Sequence, residues 1–370
     1  MTSGKSSPVP PSAQSIRVAL DTNCLYTTRA GTARYTKGLL AGFGQLGAKA
    51  PFVAPLAWPV ENLVYRQPMR AIKTAYRELI WCRTRAAAQL RSGAFDILHS
   101  ASHIGFRPPS SVRRVHTLYD LVVLRHPGKF RRWQRFAGVR FLDQLKAMDR
   151  IICISRFTAD EAMSLLGLPA RRLEVVYCGS DLADSQGRSD DASAISLPDT
   201  FFLFVGSLEP GKNLALLKSV YQQAAQSGRP LPPLLIAGMR WAGVESEGLA
   251  PESWTYLGRV SDPALVALYR RASALVFPSK YEGFGLPVLE AMSLGCPVIC
   301  SRAGSIPEVG GDAVCYSELS APAFLGHMQA MLSDPMLRDE MRTNGIDQAS
   351  RFSWRRCAEE TTAIYESVLK

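Results

Sequence analysis

One rhythm constrains this chain more than any other feature. Short runs of apolar and β-branched residues alternate with longer stretches of helical period, stop once, and then begin again. Parallel strands need crossovers long enough to hold a helix, and those helices then cover both faces of the sheet, so the alternation specifies an α/β fold. Strands are expected near 16–22, 51–57, 95–100, 114–119, 150–155 and 173–178, and again near 201–206, 233–237, 254–258, 274–278, 297–301 and 313–316. Between the two series, Ser180 to Asp199 is polar and rich in Ser and Asp. The 370 residues exceed what one core usually organises. Two doubly wound, Rossmann-like domains facing each other across a cleft are therefore expected. Residues 1–15 are expected to be disordered, 16–180 to form the first domain, 181–199 a linker, 200–351 the second domain, and 352–370 a helix packing back on the first. In such sheets ligands bind beyond the carboxyl ends of the strands.

Composition narrows the class further. Apolar residues make up 47% and charged residues 20%, a soluble globular balance. No run is long and apolar enough to span a bilayer, and Met1 to Ser15 lacks a signal-peptide core, so a cytoplasmic location is expected. The cysteines are scattered, and Cys153, Cys178, Cys300 and Cys315 lie in strand-like apolar runs where a reduced thiol acts as a small hydrophobe. Cys296 and Cys300, the closest pair, have no histidine near them, and neither a disulfide nor a zinc site is expected.

Charge is distributed unevenly. Residues 1–180 carry 27 Lys/Arg against 10 Asp/Glu, whereas residues 181–370 carry 16 against 22. Two segments hold much of the excess, Arg66 to Arg91 and Arg113 to Arg140. In the first, Tyr65, Ile72, Tyr76, Leu79, Ile80 and Leu90 roughly follow a helical period, leaving Arg70, Lys73, Arg77 and Arg85 for the other face. The second sets Trp133 and Phe136 among basic residues. Either these are solvated faces or they meet an anionic membrane surface; nucleic acid is not the expected partner.

The richest segment runs Phe277-Pro-Ser-Lys-Tyr-Glu-Gly-Phe-Gly-Leu-Pro-Val-Leu-Glu-Ala-Met-Ser-Leu-Gly295. A strand ends, a glycine-bearing loop follows, and a helix opens at Leu286-Pro287, where proline's missing N–H is not needed. Gly283 and Gly285 let backbone approach a ligand, and the helix start favours an anion such as phosphate. Glu282 on the loop and Glu290 in the helix can accept hydrogen bonds from sugar hydroxyls. Taken singly, each also fits a blander role, a surface charge or an acid near a helix N-terminus. After the strand near 201–206, Gly206 and Gly211 permit a tight loop, and Lys212-Asn213 is expected to begin a helix, setting an ammonium at a strand end.

The Glu282 to Glu290 spacing resembles the Glu-x7-Glu signature of the retaining glycosyltransferases of family four, which have the GT-B fold, and the similarity runs from Ile16 onward. Phe202 to Asn213, Trp254 to Asp262 and Ser305 to Asp312 resemble further blocks of that family in the same order. The resemblance implies that Glu282 and Lys212 act on the reacting groups, Glu282 holding the transferred hexose and Lys212 meeting the diphosphate. It implies that Glu290 holds the ribose of a nucleotide sugar. Gly283, Phe284, Gly285, Leu286 and Ser207 would line the donor. Relatives often carry arginine where Ser207 stands, so Arg259 or Arg34 is a candidate for the second cation. Asp21 to Thr36 resembles the family's glycine loop, with Gly31 its key residue. Tyr119 replaces a histidine of the family's His-Asp block, while Asp120 remains, either to orient an acceptor hydroxyl or to cap a turn. His99 matches a frequent family histidine and equally suits a packed, hydrogen-bonded imidazole; a metal at His99 and His103 is not expected.

The implied reaction moves a hexose with retention from a nucleoside diphosphate to an acceptor hydroxyl, with no metal or other cofactor. GDP-mannose is the expected donor, by likeness to mannosyltransferases of bacterial surface polysaccharides; rhamnosyl, glucosyl and N-acetylhexosaminyl donors are alternatives. A polyprenyl-diphosphate-linked saccharide at the inner membrane face is the expected acceptor, which would make the protein peripheral there. A GT-B sugar-nucleotide epimerase and a non-catalytic assembly scaffold are the competing classes.

Overall fold

In the computed structural model, residues 15–28, 30–61, 69–102, 105–129, 138–139, 142–182, 197–239 and 252–370 are described. Most of the expected linker, Tyr65, His103, Trp133 and Phe136 lie outside them. All twelve expected strands are present, most of them a residue or two shorter than the apolar runs. β1 (Arg17–Asp21), β2 (Phe52–Leu56), β3 (Ile97–Ser100), β4 (Arg113–Leu118), β5 (Arg150–Cys153) and β6 (Leu173–Val175) form one sheet in the order β2-β1-β3-β4-β5-β6. β7 (Phe202–Val205), β8 (Leu234–Ala237), β9 (Trp254–Gly258), β10 (Ala274–Phe277), β11 (Val298–Cys300) and β12 (Cys315–Tyr316) form the other, in the order β12-β11-β10-β7-β8-β9.

Pairing is parallel, β7 beside both β8 and β10, with Phe202 opposite Leu234 on one side and Ala274 on the other. Strands so placed are covered on both faces, which is why Phe202, Leu203, Phe204 and Leu275 to Phe277 are apolar without alternation and fully buried. Phe204, Val276 and Ile299 join Leu217, Val220, Phe324 and Met328 from the helices Leu214–Gln226 and Ala321–Ser333 in one core cluster. The order reverses between β7 and β10, so the loops leaving these two strands diverge to opposite faces and open a crevice at their carboxyl ends.

By its internal contacts the chain separates into two units. One comprises Met1–Thr117, Gln144–Ile152 and Ala358–Lys370; the other comprises Leu118–Asp143 and Cys153–Cys357. In the first, the C-terminal helix Trp354–Leu369 brings Tyr365 against Phe43, ring centroids 6.2 Å apart. The cysteines are free thiols, all buried except Cys315, which is partly so. Among the described residues no helix is long and apolar enough to cross a membrane.

Two local expectations need correction. The basic segment is not one continuous helix: Met69–Leu79 ends before a 3-10 turn at Trp81–Arg83, and Arg85–Ser92 follows. Within Met69–Leu79 the two faces part, Ile72 and Leu79 pointing outward, 61% and 57% exposed, while Arg77 is buried at 4% beside Glu78. Lys212 does not begin a helix either. It closes a 3-10 turn at Pro210–Lys212, and the left-handed Asn213 (φ 59°) separates that turn from the helix starting at Leu214.

Candidate active site

Three loops of the second unit converge at the crevice between β7 and β10. The loop after β7 carries Lys212, the loop after β10 carries Glu282, and the segment after β4 carries Asp120. The Lys212 ammonium donates to Glu282 Oε1 at 2.5 Å and sits 5.2 Å from the centre of the Phe277 ring, so it is held by a carboxylate and an aromatic face together. Both side chains are largely withdrawn from water, which strengthens their attraction over that of a surface pair.

The Glu282 loop is fastened by serines. Ser279 Oγ donates to Glu282 Oε1, and Ser305 donates to the Glu282 carbonyl from both its N–H and its hydroxyl, each at 3.1 Å. Ser301 Oγ in turn holds the Ser279 carbonyl. All three serines are buried. Gly304 (φ 58°) lies so close behind that a Cβ there would stand 2.2 Å from the Glu282 carbonyl oxygen.

Asp120 Oδ1 accepts the Val122 N–H at 3.0 Å, as a turn cap does. Burial pushes its carboxyl above the usual carboxylate range; the Val122 bond opposes this, the Glu282 charge adds to it, Lys212 opposes it and Glu209 adds to it. Asp120 thus shares one field with Lys212 and Glu282. Gly283 makes the closeness possible, since a Cβ there would meet the Tyr119 carbonyl oxygen at 2.1 Å. Tyr119 thus presents its main-chain carbonyl to Gly283.

The other expected residues have the following surroundings. Glu290 is buried and accepts the Tyr269 hydroxyl at 3.1 Å. Phe284 is buried against Tyr177 and Phe352, so only its backbone can line a donor. Gly285 adopts φ 93° and opens the helix Leu286–Ser293, its carbonyl accepting the Val288 and Leu289 N–H groups. Leu286 and Ser207 are half-buried, and Arg259 is exposed just beyond β9. In the first unit, Gly31 is exposed as the first residue of the helix Gly31–Gln45, with Arg34 half-buried one turn on.

His99, also in the first unit, is fully buried with both ring nitrogens engaged, Nδ1 with the Tyr365 hydroxyl at 2.6 Å and Nε2 with Thr117 Oγ1 at 2.8 Å. This is the packed imidazole. Burial, with His116 adding to it, lowers its pKa from 6.5 to about 3. A depressed histidine stabilises the fold above its unfolded value and loses that contribution as pH falls from 6.5 toward 3. Urea midpoints should show wild type losing about 1 kcal/mol more than His99→Asn per pH unit below 6.5.

Sequence reasoning missed Ser279, Ser301, Ser155 and Thr158. Ser155 Oγ donates to the Gly283 carbonyl at 2.7 Å, and Thr158 Oγ1 reaches the Tyr119 and Gly283 carbonyls at 3.4 Å each. The one available signal was position, Ser155, Ser279 and Ser301 standing within two residues of the ends of β5, β10 and β11 and Thr158 in the first turn of the helix after β5.

Comparison with known proteins places this geometry. Two parallel six-stranded sheets covered by helices are the architecture of the GT-B fold. Sucrose-phosphate synthase from Thermosynechococcus elongatus superposes with a TM-score of 0.71 over 95% of this chain and 98% of its own, at 19% identity. Anabaena HepE, solved in complex with UDP and glucose, gives 0.66 over 96% and 100%, at 16% identity. Residues 29–184 match the family described as Glycosyltransferase Family 4, and residues 185–348 match Glycosyl transferases group 1. The O-antigen chain mannosyltransferase B of Escherichia coli is 33% identical over 323 residues, 81% of each protein. The chain belongs to glycosyltransferase family four and is a mannosyltransferase-like enzyme of that family.

Proposed function

We propose that the protein transfers mannose from GDP-mannose, with retention of anomeric configuration, to a hydroxyl of a polyprenyl-diphosphate-linked saccharide in bacterial surface polysaccharide synthesis. The observation that carries this reading is the Lys212–Glu282 pair at the strand-order reversal, with Asp120 beside it. When the bond between the sugar and the diphosphate breaks, its electron pair goes to the phosphate oxygen. Lys212 and the helix start at Leu286 are set to hold that negative charge, which is the larger part of the catalytic task. Glu282 accepts hydroxyls of the transferred sugar, and Asp120 orients the acceptor. The acceptor oxygen bonds to the anomeric carbon on the face the diphosphate leaves, and its proton passes to the departing phosphate oxygen. Glu290 and Arg259 complete the donor site in this reading.

Support for the sugar comes from the Escherichia coli relative named for mannosyl transfer into O-antigen, and support for a nucleotide donor from HepE, solved with UDP and glucose. Support for a membrane-borne acceptor comes from the outward Met69, Ile72, Leu79 and Ile80 among basic residues, and sedimentation with anionic liposomes should weaken as salt rises. The test of the donor is a thermal-shift panel. GDP-mannose at a hundredfold its Kd should stabilise the fold by about 2.7 kcal/mol, while UDP-glucose and UDP-GlcNAc should not. Equal stabilisation by a uridine nucleotide would overturn the GDP-mannose assignment.

A further inference from the structure

Glu161 and Tyr281 carry none of the roles given above, yet they form a buried connection next to both site carboxylates. The Glu161 side chain is 3% exposed, and both its oxygens are taken: Oε2 accepts the Tyr281 hydroxyl and Oε1 accepts Arg125 Nε, each at 2.5 Å. The Tyr281 oxygen in turn accepts the Leu121 N–H at 3.0 Å. Tyr281 directly precedes Glu282, and Leu121 directly follows Asp120. One phenol oxygen therefore joins the neighbours of both carboxylates.

The donor and acceptor inventory explains why a carboxylate is needed. The Leu121 N–H can only donate, so the phenol must present a lone pair to it and send its own proton elsewhere. Glu161 is the acceptor of that proton, and Arg125 offsets its charge. Burying a carboxylate costs several kcal/mol even when paired, so stability alone would favour an apolar residue at position 161. The phenol stays protonated, because burial and the bond to Glu161 push it well above its ordinary value. The rings of His126 and Phe157 stand edge-on to Tyr281, centroids 5.6 Å away, and restrict its swing. The helix Arg156–Leu166, which bears Glu161, also holds the Tyr119 and Gly283 carbonyls through Ser155 and Thr158.

We propose that Tyr281 and Glu161 are positioning residues, the Tyr281 hydroxyl oriented by Glu161 fixing the separation of Asp120 from Glu282 and so of acceptor from transferred sugar. The proposal rests on the transferase reading of Glu282 and Asp120. With GDP-mannose and a synthetic alkyl diphosphate mannoside as acceptor, Tyr281→Phe should lower kcat about 10- to 100-fold and leave the donor KM within about threefold, since a small misplacement acts on the chemical step. Glu161→Ala should lose as much, and the double variant no more than either alone, because both act through one bond. Glu161→Gln, whose single amide oxygen still accepts the phenol proton while its NH2 group turns the half-exposed Arg125 out to solvent, should keep at least about a third of the turnover. The Leu121 amide should exchange faster with solvent in Tyr281→Phe. Turnover within twofold of wild type in Tyr281→Phe, multiplying losses in the double variant, or a Glu161→Gln as poor as Glu161→Ala would each overturn the proposal. Full activity of Glu282→Gln would instead overturn the transferase reading beneath it.

Discussion

Glu282→Gln should cut hexose transfer about 100- to 1,000-fold, the range seen when one preorganised polar group is removed from a reacting centre. The substitution changes almost no volume. The amide oxygen can still accept from Lys212 and Ser279, so the loop should stay in place and the melting temperature should move little. What disappears is the charge. A neutral amide accepts sugar hydroxyls more weakly than a carboxylate, and the Lys212 ammonium is left in a half-dry crevice without its counter-ion. Initial rates of GDP release with GDP-mannose, compared with the urea midpoint of the same preparation, separate the two effects. Transfer within threefold of wild type would place Glu282 outside the chemistry.

The fold was legible because its signal is repeated. Twelve strands and the late all-helical stretch follow from period and punctuation, and each strand end pointed to a loop worth inspecting. Lys212, Glu282 and Asp120 stood out singly on those loops; the convergence of the first two required the reversal between β7 and β10, and that of Asp120 the packing of the segment after β4 against Gly283, neither of which a local pattern encodes. Which face of an amphipathic helix turns inward is equally hidden. The period around Ile72 was visible, but not that the face bearing Arg77 would be buried and the one bearing Ile72 and Leu79 exposed. Serines and threonines that hold carbonyls carry no period at all. Ser279, Ser301, Ser305 and Thr158 look like ordinary loop or helix-start residues until their partners, far away in sequence, are known.

Gly283→Ala should cost about 2 to 4 kcal/mol of stability, near the upper end of overpacking changes, and should lower turnover as well. The added Cβ would stand 2.1 Å from the Tyr119 carbonyl oxygen and 3.0 Å from Asp120 Cβ. A side chain can rotate away from such a contact; a backbone carbonyl moves only with its loop. Retreat of Gly283 is opposed because its own carbonyl accepts Ser155 Oγ at 2.7 Å and the adjoining Glu282 carbonyl is backed by Gly304. The segments bearing Asp120 and Glu282 must therefore part, or the hydrogen bonds holding them must break. Gly326 is the matched control: it lies in the helix Ala321–Ser333, and a Cβ there would meet nothing within 4 Å. Gly326→Ala should stabilise by about 0.5 to 1 kcal/mol through the lower entropy of its unfolded chain. Urea midpoints of the two variants should move in opposite directions. If Gly283→Ala matches wild type while Gly326→Ala gains, the close approach of these two loops is not a requirement of the fold, and the shared field of Asp120, Lys212 and Glu282 loses its structural basis.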